Sequence, residues 1–347
     1  MASSYVSSTS VLEPLQGITV VITGATSGLG LSLSKKVHGM GGTIVAVGRS
    51  ESKLKLLSND LQNERVHTIL ADFKDLDSIS DAANQIRSKF KTIDYLICNA
   101  GITSEEKATP QNFDPVFAVN YLSHVLLTER LIPNLKRSKL EKGARIINVS
   151  SAMHIQVDGD DLVPTLNDSP VASQPLTGYV HSWKSYGNSK LAQIYYARSL
   201  SRKLNQDSRN KIKVLSLCPS WVATNIAGSI LKYFLDIFAF QSDGFGISPI
   251  LFAMFDTTGG DTDDFIGSNS LTAGGKFFKF MKSLLRLGKW PLVRLTCTSM
   301  GAGIVLVLQK FFANVGYSLT SVEGFNMVYQ DALYDWSLDV LKPWVKY

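Results

Sequence analysis

The stretch T-G-A-T-S-G-L-G, from Thr23 to Gly30, follows directly on the apolar run Ile18 to Ile22. That run predicts a buried β-strand: it is short, β-branched and bounded by glycine. Leu29 to Met40 has the amphipathic pattern of a helix. Strand, glycine turn and helix N-terminus together make an anion site, where backbone N–H groups and the helix dipole favour negative charge. Gly24 suits the tight turn, Gly28 a close approach of ligand to backbone, and Gly30 close helix–strand packing, with Ser27 and Leu29 completing the cradle. The order G-x-x-x-G-x-G differs from G-x-G-x-x-G and lacks the G-K-[ST] of a P-loop. Three glycines could also be no more than a tight turn, so the rest of the chain decides.

The chain has 347 residues, 45% of them hydrophobic and 18% charged. That composition supports a large core, in one big α/β domain or two smaller ones. Cys98, Cys218 and Cys297 are scattered, with no metal-ligand spacing. Cys98 and Cys218 end apolar runs and read as reduced, buried strand residues, which points to a reducing, intracellular compartment. The N-terminal MASSYVSSTS lacks the apolar core of a signal peptide, and no apolar run is long enough to span a bilayer. The net charge is +6, while Phe265 to Val322 alone holds seven basic residues and no acidic one. A nucleic-acid partner is not expected, since the basic excess is local and no such motif is visible.

Strand-like runs at Thr43–Val47, Val66–Leu70, Ile93–Cys98, Arg145–Val149 and Lys213–Leu217 alternate with helical patterns at Ser52–Gln62, Leu76–Phe90, Asn112–Leu135 and Ser185–Leu204. This βαβ rhythm predicts a doubly wound parallel sheet with helices on both faces, and a ligand at the carboxyl ends of its strands. The second strand ends at Gly48-Arg49, where an acidic residue would hold the ribose 2′-OH of NAD. Arg49 suits a 2′-phosphate, and NADP(H) is the expected cofactor; an ordinary solvated arginine is the alternative. The third strand ends at Asp72-Phe73, where Asp72 could accept from an adenine amine or cap a helix. The fourth ends at Asn99-Ala100-Gly101, small enough for backbone to lie against a cofactor. After the fifth come Ser151 and then Tyr186-Gly-Asn-Ser-Lys190. On a helix Tyr186 and Lys190 share a face. A free tyrosine has a pKa of about 10, and a nearby ammonium would lower it toward use as a proton donor or acceptor. Ser151 could hydrogen-bond a substrate oxygen as charge develops.

TGATSGLG, Asp72, the NAG at Asn99–Gly101, Asn120 in FAVNYLSHVLLT, Ser151 and YGNSK fall in one order, which resembles the short-chain dehydrogenase/reductase family from about residue 17 to 224. The resemblance implies a Rossmann-type fold and hydride transfer between nicotinamide and a carbonyl or alcohol carbon. It implies Tyr186 as general acid/base, Lys190 lowering its pKa and binding the nicotinamide ribose, and Ser151 orienting the substrate oxygen. It gives Asn120 the helix kink and the water of a proton relay. Pro219-Ser-Trp-Val222-Ala-Thr224 is similar to the family's P-G-x-V-x-T, which closes over the nicotinamide. NVSSAMH and SYGNSKLAQIYYARSLSRKL are similar to the retinol dehydrogenase and WW-domain oxidoreductase branch. Cys98 stands where an Asn is usual, and Ser220 where a Gly is. Asp158, Asp160 and Asp161, in the long loop before Tyr186, read as solvated turn residues.

The expected organisation is an N-terminal extension, 1–16, and a single domain, 17–347, with an enlarged C-terminal substrate lid at 225–300. Ile230–Phe240 and Phe245–Phe255 are very apolar, which points to a lipophilic substrate of retinoid, steroid, fatty aldehyde or isoprenoid type. At 100° per residue, Lys276, Lys279, Lys282, Arg286 and Lys289 fall within an arc of about 140°, with Phe, Met and Leu opposite and Trp290 at the edge. That is the pattern of an interfacial helix, and equally of a lid with solvated lysines. Peripheral attachment to the cytosolic side of a membrane is the expectation, with a soluble cytoplasmic protein as the alternative. Gly324–Tyr329 reads as a last strand and Leu333–Val345 as an amphipathic tail helix. Two other functions fit the same residues: a C=C reductase resembling the protochlorophyllide reductases, and a non-catalytic NADPH-binding sensor.

Overall fold

The computed structural model describes residues 15–61, 64–105, 107–151, 153–154, 157, 179–219, 247–255, 265–266 and 327–345; of these, 179–183 and 265–266 are described by their backbone. The expectations for residues 1–14, Asp158, Asp160, Asp161, Ser220, Val222, Thr224, Cys297, the Lys276–Trp290 helix and most of the 225–300 insert lie outside the described residues.

The chain alternates β1 (Thr19–Thr23), α1 (Gly28–Gly39), β2 (Thr43–Gly48), α2 (Glu51–Leu61), β3 (Val66–Leu70), α3 (Leu76–Lys89) and β4 (Tyr95–Cys98). A short helix α4 (Pro115–Phe117) runs through a π-turn (Ala118–Leu122) into α5 (Ser123–Leu135). Then come β5 (Arg145–Val149), α6 (Tyr179–Asn205), β6 (Lys213–Leu217), α7 (Ser248–Phe255), β7 (Phe265–Ile266) and α8 (Met327–Leu341). Among the described residues the strands form one seven-stranded sheet in the order β3-β2-β1-β4-β5-β6-β7. Every neighbouring pair is parallel, so the order reverses between β1 and β4, where a ligand crevice opens at the carboxyl ends.

Strand side chains alternate between two cores, as a two-residue period requires. Val21, Val45 and Leu96 pack under α3, α5, α6 and α8. Val20, Ile22, Ile44, Ile97 and Ile147 pack under α1, α2 and α7. The expected helices on both faces are therefore present. Each fully buried Val, Ile or Leu contributes on the order of 2 kcal/mol.

Three expectations change, and one strand was unexpected. The helical pattern at Asn112 starts later, because Asp114 caps at Phe117 N–H and Pro115 takes the first helical position. In the described part of the expected strand at Gly324–Tyr329, Met327 to Tyr329 open α8 instead. Gln330, Leu333, Tyr334, Ser337 and Leu341 are its buried face, a 3.6-residue period that outweighs the short apolar run M-V-Y. The apolar character of Phe245–Phe255 is, in its described part, core packing. Ile250, Ala253 and Met254 are buried, and Tyr95 Oη and Arg145 Nη1 hold the carbonyls of Met254 and Ala253 at 2.9 and 2.7 Å. The two-residue β7, paired with β6, had no sequence signal of its own.

Candidate active site

The glycine turn sits on the end of β4. Gly24 has φ +65°, and a Cβ there would come within 3.0 Å of Ala100 Cα. A Cβ at Gly30 would lie 2.2 Å from the Gly24 carbonyl oxygen, so α1 packs on the turn only with glycine. Thr23 Oγ1 accepts the main-chain N–H groups of Asn99 and Ala100, both at 2.9 Å, and Asn99 Nδ2 donates to the Thr23 carbonyl at 2.8 Å. Ser27, the residue before α1, makes no side-chain cap hydrogen bond, and the first turn of α1 holds no acidic residue. In α3, by contrast, the Asp75 carboxylate caps the Asp77 N–H. Among the described residues, the first-turn N–H groups of α1 are thus left without a capping side chain from Ser27 or an acidic residue of that turn, beside the exposed Ser27 and Gly28 and the half-buried Leu29. That arrangement fits the pyrophosphate of a dinucleotide.

Other strand ends surround this turn. Arg49, after β2, is exposed. Asp72, after β3, accepts the Lys74 N–H at 3.0 Å through Oδ1, and its own N–H donates to Ser78 Oγ at 3.0 Å, which orders the lead into α3. Phe73 is buried, with its ring 5.0 Å from that of His124. Pro219 follows β6 directly after the buried Cys218.

Asn120 lies in the π-turn, fully buried. Its side chain clamps Ile102, just past Gly101: Oδ1 accepts the Ile102 N–H at 2.8 Å and Nδ2 donates to the Ile102 carbonyl at 3.0 Å. Nδ2 also donates to Ser189 Oγ at 2.9 Å, and Ser189 Oγ donates to the Tyr186 carbonyl at 2.7 Å. The NAG segment, the π-turn and α6 are tied together at this one residue.

On α6, Lys190 Nζ sits 5.5 Å from the Tyr186 ring centroid. It donates to the Val149 carbonyl at 2.9 Å and to Gln193 Oε1 at 3.3 Å, while Ser150 Oγ donates to the Lys190 carbonyl at 2.8 Å. The half-buried Ser151 hydrogen-bonds Tyr186. Burial pulls the Lys190 ammonium down to about 8, and only the ionised form of Cys218 would oppose it. Burial also pushes the Tyr186 phenol up to about 12, with the Ser151 hydrogen bond opposing it. The sequence expectation was a phenol lowered by its lysine. Desolvation wins instead, and the phenol is fully protonated near neutral pH. The arrangement offers a proton donor at Tyr186, a hydroxyl at Ser151 and a cation at Lys190.

Thr23, His124 and Gln193 escaped the sequence reading. His124 Nδ1 lies 3.0 Å from the Asn120 carbonyl, which only accepts, so that nitrogen carries the hydrogen. Nε2 then accepts from Thr23 Oγ1 at 2.9 Å. Burial holds the ring neutral, down to about 3. The one available signal was a polar residue on the core-facing side of an apolar helix.

The family model for short chain dehydrogenases matches residues 18–157. Mouse polyprenol dehydrogenase is 30% identical over 258 residues, 70% of this chain and 73% of that protein. Human retinol dehydrogenase 13 is 32% identical over 197 residues, 55% of each. The chain spans 58% and 65% of the length of two other curated relatives that it matches. A solved short chain dehydrogenase from Pseudomonas syringae aligns with a TM-score of 0.56 at 20% identity, over 74% of this chain and 96% of that one, and shares the fold. The strand order, the glycine turn and these likenesses agree: this chain belongs to the short-chain dehydrogenase/reductase family and is related to its retinol dehydrogenases.

Proposed function

We propose that this protein is an NADP(H)-dependent oxidoreductase acting on a carbonyl or alcohol of a lipophilic molecule of retinoid, steroid, fatty aldehyde or isoprenoid type. One observation carries the proposal. Ser151, Tyr186 and Lys190 converge at the carboxyl edge of the sheet, beside a glycine turn whose helix start is uncapped. A bound nicotinamide nucleotide supplies the hydride. Gly24 to Gly30 would hold its pyrophosphate, Arg49 a 2′-phosphate, Asp72 and Phe73 the adenine, and Asn99 to Gly101 the sugar. Pro219, Val222 and Thr224 would cover the nicotinamide. Tyr186 donates its proton to the substrate oxygen in reduction and takes it back in oxidation. Ser151 orients that oxygen, and the Lys190 ammonium steadies the phenolate left behind. The names of the polyprenol and retinol dehydrogenase relatives support a lipophilic substrate. Residues 17–347 then make one domain with a substrate lid at 225–300, after a short extension.

The test is NADPH oxidation against a panel of long-chain, retinoid and steroid carbonyls. The wild type consumes NADPH with at least one of them, and Tyr186→Phe does not, although it still binds NADPH. Near-normal turnover in that variant refutes the assigned acid.

Among the described residues no helix is long and apolar enough to cross a membrane. We propose peripheral attachment at the cytosolic face through the basic, aromatic Lys276–Trp290 segment. Co-sedimentation with anionic liposomes checks it: the wild type pellets, and the pair Lys279→Glu and Lys282→Glu does not. Equal, negligible pelleting of both proteins contradicts the proposal.

A further inference from the structure

The main-chain carbonyl of Asn120 accepts two side-chain donors, His124 Nδ1 at 3.0 Å and Gln193 Nε2 at 2.7 Å. A carbonyl oxygen has two lone pairs, so both are in use. The Asn120 side-chain amide is spent as well, on the Ile102 carbonyl and Ser189. The Gln193 carboxamide lies between this carbonyl and Lys190. Gln193 is 1% exposed and stands one helical turn beyond Lys190. Its Oε1 accepts from Lys190 Nζ at 3.3 Å while its Nε2 reaches Asn120. Its main-chain carbonyl in turn accepts from Ser216 Oγ at 3.4 Å, anchoring this part of α6 to β6.

We infer that Gln193 is a positioning residue: its amide bridges the Lys190 ammonium to the π-turn carbonyl of Asn120 and thereby fixes both the place and the charge state of the lysine. The inference rests on the reading of Tyr186 and Lys190 as the reacting pair for its consequence in catalysis. The contact itself does not depend on that reading.

Among the described residues, the groups around Lys190 limit what else could set its charge. Tyr186 shares its helix, Cys218 ends β6, His124 reaches it electrostatically from α5, and the Val149 carbonyl faces it from β5. None is an anion at neutral pH when Cys218 is a thiol. An uncharged acceptor at Gln193 therefore has leverage on a buried cation, which loses stability when any acceptor is removed. Gln193→Met keeps the length and removes the acceptor. Gln193→Glu keeps the acceptor, adds a negative charge and removes the donor to Asn120.

The experiment is a 13C NMR titration of the full protein, labelled at lysine Cε and purified without added nucleotide. The Lys190 signal is assigned by its loss in Lys190→Arg. The pKa of Lys190 is expected to fall by about one pH unit in Gln193→Met and to rise by about one in Gln193→Glu. The alkaline limb of NADPH oxidation should move the same two ways. Lys190 titrating alike in all three proteins, or moving in one direction in both variants, overturns the inference. A general loosening of the fold would not give opposite signs. If the Met variant does not fold, Gln193→Glu alone must still raise Lys190. If the proposed function is wrong but this inference is right, Lys190 shifts as stated and Tyr186→Phe leaves NADPH oxidation unchanged.

Discussion

Along α6, the half from Tyr186 to Gln193 faces the strand ends and the half from Tyr196 to Lys203 faces the tail helix α8; both bury polar side chains. In the second half Glu129 Oε1 accepts the hydroxyls of Tyr196 at 2.9 Å and Tyr334 at 3.1 Å, and those two rings stack 5.6 Å apart. Arg202 and Ser199 hold Asp331 at 2.8 and 2.7 Å, and Tyr121 Oη meets Ser337 Oγ at 2.8 Å. Burial raises the Glu129 carboxyl and the Tyr196 phenol just as it raises Tyr186. A displaced pKa therefore does not single out the reactive cluster, since structural networks displace pKa values too. What separates the two is place, since Lys203 also lies over the Tyr334 ring, 4.5 Å from its centroid. The first lies at the carboxyl ends of the strands, where their order reverses between β1 and β4. The second pairs a carboxyl with phenols under a covering helix.

The largest effect that could break this contrast is on turnover. Tyr186→Phe should lower it by about a thousandfold, with the melting temperature unchanged, because one hydroxyl is lost and no packing. Glu129→Ala should do the reverse. It strands two buried hydroxyls and should cost about 2 kcal/mol in a urea unfolding curve, while turnover of the folded protein is retained. A large loss of turnover in Glu129→Ala would erase the distinction between the halves. Smaller is Arg49→Ala, which removes one cation from the rim of the first region. It should weaken NADPH about tenfold and leave NADH unchanged, read by fluorescence titration; equal weakening of both would take the 2′-phosphate away from Arg49.

The smallest effect is a pH dependence of the second region. Burial raises the Glu129 pKa, so the folded protein holds that proton more tightly than the unfolded chain does. The stability this gives is complete below the unfolded value of about 4.3 and is lost as pH rises through the folded value. Glu129→Gln can accept from both tyrosines and has no proton to lose. Its melting temperature should therefore gain on the wild type as pH rises above about 4.3, whereas a constant difference would mean that the carboxyl is not buried in solution.

The glycine turn, the alternation of strands and helices and the Tyr186–Lys190 spacing were legible because each depends on local period or spacing. Thr23, His124 and Gln193 were not. Their partners come from other elements, Thr23 and His124 being 101 residues apart, and nothing local tells a buried polar bridge from a solvated side chain. The tail helix shows the opposite failure. Its first turn looked like a strand because M-V-Y is apolar, yet Met327 and Val328 are 62% and 69% exposed, and the register is set by Tyr334 and Ser337 meeting Glu129 and Tyr121.

The most direct test of the central claim is transfer of label. The protein is incubated with NADPH deuterated at nicotinamide C4, the two faces in separate runs, and a lipid extract. With the wild type, deuterium should appear on the carbinol carbon of a lipophilic alcohol from one of the two faces, and with Tyr186→Phe it should not. No labelled lipid with the wild type, or equal labelling with both proteins, would contradict the account.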